Sequence, residues 1–148
     1  MTINSINILI PLKNEEMSID NLIESLKPIL EKIKKRTVIT LINDHSSDKT
    51  MDILVEKKKK LSFLRICNNE NASGFGNALK HGIEKSEEDA VVIFMGDCSD
   101  SPDDIIEYVK YLDEGYDCVF GSRFIKDSKL VNYPFLKLIF NRFANYFI

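Results

Sequence analysis

Cysteine is scarce: Cys67, Cys98 and Cys118 are the only three in 148 residues, and none forms a CxxC pair. That spacing excludes a disulfide scaffold and a cysteine-ligated zinc site, and it fits a reducing, cytoplasmic compartment. Glycine (six) and proline (four) are too few for a collagen-like or low-complexity chain. An excess of positive charge is also missing. Lys and Arg number 20 against 23 Asp and Glu, for a net charge of −3, which is not the basic balance of a nucleic-acid binder. No apolar run reaches 18 residues, so no segment reads as a bilayer-spanning helix. The N-terminus, MTINSINILIPLKNEE, lacks the basic start of a secretion signal. What is present is ordinary: 44% hydrophobic and 29% charged residues. A chain of this length buries roughly 68–70% of its unfolded surface on folding, enough for one core.

Continuous runs of branched apolar residues predict strands covered on both faces. They fall at 6–12 (INILIPL), 37–42 (TVITLI), 61–67 (LSFLRIC), 90–95 (AVVIFM) and, shortest, 117–120 (DCVF). Helical spacing fills the gaps. Ile19, Leu22, Ile23, Leu26, Leu30 and Ile33 mark one face of a helix over 17–35, with Pro28 expected to kink it. Further helices are expected over 50–60, 76–85 and 102–114, the last with Ser101 as cap and Pro102 in its first turn. The alternation predicts an α/β fold with a mostly parallel sheet and right-handed crossovers.

In such sheets ligands bind beyond the carboxyl ends of the strands. All five predicted strand ends there carry polar groups: 13–16 (KNEE), 43–48 (NDHSSD), 68–76, 96–100 (GDCSD) and 121–123 (GSR). Each has a plain alternative. The 44–48 stretch could be a turn with a helix cap, Gly74-Phe75-Gly76 a tight turn, Asp97 and Asp100 a capped helix start, and Arg123 a surface ion pair. His45 and His81 read as turn or surface residues, and Lys57–Lys60 as a solvated helix end. The glycines match neither GxGxxG nor a P-loop. Together, an acidic pair at a strand end suits Mg²⁺ or Mn²⁺ bridged to phosphate, and an Arg nearby can hold the same phosphates. That combination describes a nucleotide-diphosphate site.

These segments, in this order, resemble the inverting family-2 glycosyltransferases of the GT-A fold, especially the polyprenyl-phosphate sugar transferase branch. Pro11-Leu12-Lys13-Asn14-Glu15 is similar to the family's P-x-x-N-E opening, and 43–50 (NDHSSDKT) to its D-D-G-S-S-D-G-T segment, with His45 in place of a glycine. Residues 71–78 (NASGFGNA) resemble the glycine-bearing segment near the donor, and Gly121-Ser122-Arg123 the lipid-phosphate branch. Residues 95–102 (MGDCSDSP) stand where the metal-binding D-x-D lies. In one register the acidic positions fall on Gly96 and Cys98. In the register of an M-A-D-G-S-D-D-P variant, Asp97 and Asp100 are the acids.

The resemblance implies a GT-A, Rossmann-like three-layer sandwich that binds a nucleotide-diphosphate sugar. Pro11, Asn14, Glu15, Asp44, Ser46, Gly74, Gly76 and Asn77 would contact the donor, and Asp44 would touch its base. Asp97 and Asp100 would hold Mg²⁺ or Mn²⁺, and with Arg123 would form the catalytic set. The implied reaction is metal-dependent hexosyl transfer to a polyprenyl (dolichyl-type) phosphate at the cytoplasmic membrane face. The alternatives are a saccharide hydroxyl acceptor or a non-catalytic nucleotide-sugar-binding module. A sugar-nucleotide-forming nucleotidyltransferase would need a basic, glycine-rich loop after the first strand, where KNEE stands. The donor domain is expected over 1–132. Residues 133–148 (YPFLKLIFNRFANYFI) read as an amphipathic helix at the start of an acceptor or membrane-proximal region. Its apolar face would lie on a membrane surface, pack on further protein, or drive self-association into a homo-oligomer.

Overall fold

The computed structural model describes residues 3–122. Four strands and four helices alternate: β1 (Ser5–Leu12), α1 (Ile19–Lys32), β2 (Arg36–Asn43), α2 (Thr50–Lys60), β3 (Leu64–Asn68), α3 (Phe75–Glu84), β4 (Ala90–Ile93) and α4 (Pro102–Asp113). The strands form one sheet in the order β3-β2-β1-β4, and every pairing is parallel. The sheet grows outward from β1 through β2 to β3, then returns to place β4 on the other side of β1. The order therefore reverses between β1 and β4, which makes their carboxyl ends the natural crevice of the fold.

Strand alternation divides the side chains between two layers. Ile6, Ile8, Ile10 and Leu12 of β1 join Ile39 and Leu41 of β2 in the main core, under α1, α2 and α4. Ile19, Leu22, Ile23, Leu26 and Ile29 are the buried stripe of α1, which keeps three-and-four spacing but takes in Ile29 where Leu30 was predicted; Leu30 is partly buried. Leu9 and Ile42 face the other way and meet Ala78 of α3. Gly82 permits this close approach, because a Cβ there would overlap Ile42 Cδ1 and lie 3.3 Å from Leu9 Cδ1. The result is a three-layer α/β sandwich, as expected for the GT-A fold.

Two expectations are corrected. Residues 117–120 form no strand. A strand needs a hydrogen-bonded neighbour, and among the described residues this segment does not pair with β4; the two line a cleft of about 540 Å³. His81, read as a turn or surface residue, is buried at 6% exposure because it lies on the sheet-facing side of α3, beside Ala78 and Gly82. Ser101 does precede α4, but its side chain makes no capping bond; its carbonyl accepts from Asp104 N at 3.1 Å. Arg123 and the expected helix over 133–148 lie outside the described residues.

Candidate donor site

The loops after β1 and β2 are laced together. Asn14 N donates to Ser46 Oγ (3.0 Å), and Asn14 Oδ1 accepts from Ser47 N (2.8 Å). Glu15 N donates to Thr50 Oγ1 (2.9 Å), Glu16 N to Asp48 Oδ2 (3.2 Å), and Lys49 N to Glu16 Oε2 (2.9 Å). Polar residues dominate these segments because neighbouring parallel strands end together and leave backbone amides that the sheet cannot satisfy. Asn14, Glu15 and Ser46 are thus brought together, and each helps fix the edge.

Asp44 is the buried charge of this edge, at 4% exposure. Its Oδ1 accepts from Asn69 Nδ2 (2.6 Å), and its Oδ2 from Gly74 N (2.9 Å) and Ser73 Oγ (3.1 Å). Burial alone would raise the carboxyl's pKa. The bonds from Asn69, Gly74 and Ser73, with the Lys13 ammonium, outweigh it and hold the group below the usual carboxylate range. Lys13 Nζ also bonds Ser73 Oγ at 2.9 Å. The carboxylate therefore ties the β3–α3 loop to the end of β2. Gly74 has φ +145° at the start of α3, a conformation that favours glycine. Asn77 Nδ2 folds back on Ala72 O at 2.9 Å, and open space surrounds the Cβ position of Gly76.

After β4 the chain passes tightly over β1. A Cβ on Gly96 would overlap Leu12 Cδ2 and sit 3.0 Å from Pro11 O, so no acidic side chain fits there without displacing Leu12. Cys98 adopts φ +57°, which a glycine adopts freely. Asp97 is exposed, and its Oδ1 accepts from Ser99 N at 3.0 Å. Asp100 is half-buried, with Oδ2 accepting from Met95 N at 3.2 Å. Partial burial raises the Cys98 thiol, and the charges of Asp97 and Glu15 raise it further, which puts the β1 and β4 loops within electrostatic reach of each other.

Among the described residues three non-glycine residues have positive φ: Asn14 (57°), His45 (56°) and Cys98 (57°). They follow β1, β2 and β4 respectively. Strained backbone thus gathers at one edge, a pattern associated with functional sites. His45 Nε2 is 2.9 Å from Asn71 O, a second tie to the β3–α3 loop. Sequence reasoning missed Lys13, Asn69 and Ser73 as site residues. Their only signal was their place in strand-end loops; the partnership with Asp44 joins residues 25 to 31 positions apart.

Among the described residues no three His, Cys, Asp or Glu side chains cluster as a self-sufficient metal cage. No helix among them is long and apolar enough to cross a membrane.

Comparison with known proteins gives the same fold. Mannosyl-3-phosphoglycerate synthase from Rubrobacter xylanophilus aligns with TM-score 0.63 at 14% identity, over 76% of this chain and 37% of that one. Glucosyl-3-phosphoglycerate synthase from Mycobacterium tuberculosis, in complex with Mn²⁺, UDP and glucosyl-3-phosphoglycerate, aligns at 0.61 and 21% identity, over 76% and 40%. By sequence, an uncharacterized glycosyltransferase of Synechocystis sp. is 34% identical over 123 residues, covering 83% of this chain and 38% of that protein. The dolichol-phosphate mannosyltransferase of Pyrococcus furiosus is 23% identical over 94% of this chain and 39% of its own length. An undecaprenyl-phosphate 4-deoxy-4-formamido-L-arabinose transferase of Pectobacterium atrosepticum is 30% identical over 79% and 36%. The chain thus spans under two-fifths of each of these three relatives. With the pattern of glycosyl transferase family 2 matching residues 7–148, the chain belongs to that family.

Proposed function

We propose that this chain binds a nucleotide-diphosphate sugar at the carboxyl edge of its sheet and serves sugar transfer to a polyprenyl-type phosphate. The observation that carries the reading is the convergence of the β1, β2 and β4 loops on the point where strand order reverses, with Asp44 buried and ionised beside them. Asp44 and the β3–α3 loop would receive the base. Pro11, Asn14, Glu15, Ser46, Gly74, Gly76 and Asn77 would shape the surrounding wall.

The donor set fits a divalent cation of the Mg²⁺ or Mn²⁺ type. Such ions are commonly held by one or two carboxylates plus substrate phosphates rather than by a protein cage. Asp97 and Asp100 supply that number, and neither is sealed from solvent. When bound, the ion would offset the charge that develops on a departing diphosphate. Arg123 would hold the same diphosphate bidentately. In the inverting reaction a phosphate oxygen of the acceptor bonds to the anomeric carbon, and the bond from that carbon to the donor's diphosphate oxygen breaks. The electron pair leaves with the diphosphate. An acceptor phosphate is already anionic, so no general base is required of this chain.

The names of the Pyrococcus and Pectobacterium relatives support a lipid-phosphate acceptor. The test is incubation with radiolabelled nucleotide sugars, polyprenyl phosphate and Mn²⁺, followed by extraction of labelled lipid. Labelled polyprenyl phosphate sugar supports the reading. Donor binding without labelled lipid favours the non-catalytic donor-binding module, and transfer to a saccharide instead assigns a hydroxyl acceptor.

A further inference from the structure

A second cleft, of about 310 Å³, lies on the α3 face of the sheet, between α3 and strands β2 and β3. His81 lines it at 6% exposure. Its imidazole makes no hydrogen bond among the described residues, yet no buried side-chain nitrogen there is both sealed and unpartnered. The ring nitrogens therefore open onto the cleft. Solvent or a ligand in the cleft can therefore reach them, and a ligand that accepts or donates there would complete the ring's hydrogen bonding.

The remaining lining defines what that group is. Lys85, the C-cap residue just past α3, brings an exposed ammonium to the mouth, with no ion pair among the described residues. Arg65 of β3 gives two N–H groups to Glu88 (3.0 and 3.3 Å) and keeps three of its five donors. Arg65 and Lys85 both act on the neighbouring Cys67 thiol, as does the opposing charge of Glu70 on the rim. On the floor, Thr40 Oγ1 donates to Asn7 Oδ1 (2.7 Å) and Asn7 Nδ2 to Ser86 Oγ (2.7 Å), so that network is already closed. The groups left over are thus an imidazole, a guanidinium edge and an ammonium, with the Glu70 carboxylate beside them on the rim. Two permanent cations disfavour a metal ion, and all three groups can donate to an oxyanion.

We propose that this cleft is a second binding site, for a small oxyanion of the phosphate class, held by His81, Arg65 and Lys85. It is independent of the donor reading, since none of these residues belongs to the Asp44 or Asp97 loops.

The test is NMR of the 148-residue chain in chloride buffer, following the His81 ring signals during titration with inorganic phosphate. A saturable His81 shift is expected. Lys85→Ala, an exposed position that should leave the fold intact, should weaken binding about tenfold, as loss of a charged hydrogen bond does. His81→Gln should weaken it comparably, with thermal melting checking that each variant is folded. No His81 shift up to high phosphate concentration would mean that water alone fills the cleft, and would overturn the proposal. So would a shift that Lys85→Ala leaves unchanged. Nucleotide titration on the same sample separates the two sites: a nucleotide response at Asp44-loop amides, without one at His81, leaves both proposals standing on their own tests.

Discussion

Asp44 Oδ1 lies 2.6 Å from Asn69 Nδ2, and both residues are at least 95% buried. This one bond joins the end of β2 to the end of β3. It also means that the residue proposed to read the nucleotide base already has a structural task.

Replacing Asp44 with Ala should therefore do two things. Asn69 loses its shortest bond while buried and keeps only the longer one from Nδ2 to Ala72 O (3.3 Å), which costs about 1–3 kcal/mol of stability. Gly74 and Ser73 lose their anchor, so the Gly74 amide should exchange with solvent faster. Urea unfolding and amide exchange read these effects, and nucleotide titration below the unfolding range reads the binding loss of roughly 10- to 150-fold expected for a charged hydrogen bond.

Cys98 carries a left-handed backbone that costs a non-glycine residue roughly 1–2 kcal/mol. Glycine would remove that strain but lose about 0.5–1 kcal/mol to chain entropy. Cys98→Gly should thus be neutral to mildly stabilising, whereas Cys98→Val, β-branched at the same φ, should destabilise. The two urea midpoints should move apart in that order.

Gly82→Ala should destabilise by about 1–3 kcal/mol, because its methyl group must push Ile42 or lift α3 from the sheet. Gly76→Ala, in open space on the same helix, should be neutral or stabilising. Comparing the melting temperatures of the two variants checks this.

Acid should weaken the fold on the carboxylate side. Burial raises the Asp44 and Glu88 pKa values, but hydrogen bonds outweigh it in both, led by Asn69 for Asp44 and by Arg65 for Glu88. A folded pKa below the unfolded one gives stability that is complete above the unfolded value, about 4, and is lost as pH falls through the folded values. Denaturant midpoints should be flat on this account from neutral pH down to about 5 and drop below about 4.

The sheet was legible because Ile, Val and Leu dominate β1 and β2, interrupted by Asn7 and Thr40, without the polar alternation of a half-exposed strand. The helices were legible from spacing, and α1 kept its stripe through Pro28. The segment 117–120 was not, because composition suggests a strand but only a paired neighbour makes one. His81 was misread because polarity was weighed without its helix face; three and one residues from Ala78 and Gly82, it turns to the sheet. The strand-end loops could be listed from sequence, but their lacing could not. Nothing local in Lys13, Asn69 or Ser73 reveals that all three converge on Asp44. The left-handed backbone at His45 and Cys98 was legible only as a side chain standing where the family pattern has glycine.

The most direct test of the central claim is calorimetric titration of the chain with UDP-, GDP-, CDP- and dTDP-sugars, with Mn²⁺ and with chelator. The account predicts saturable binding of at least one nucleotide sugar, strengthened by Mn²⁺, with the strengthening abolished in the Asp97→Ala, Asp100→Ala double variant. Absence of binding to all four, or a Mn²⁺ effect untouched by the double substitution, would contradict it.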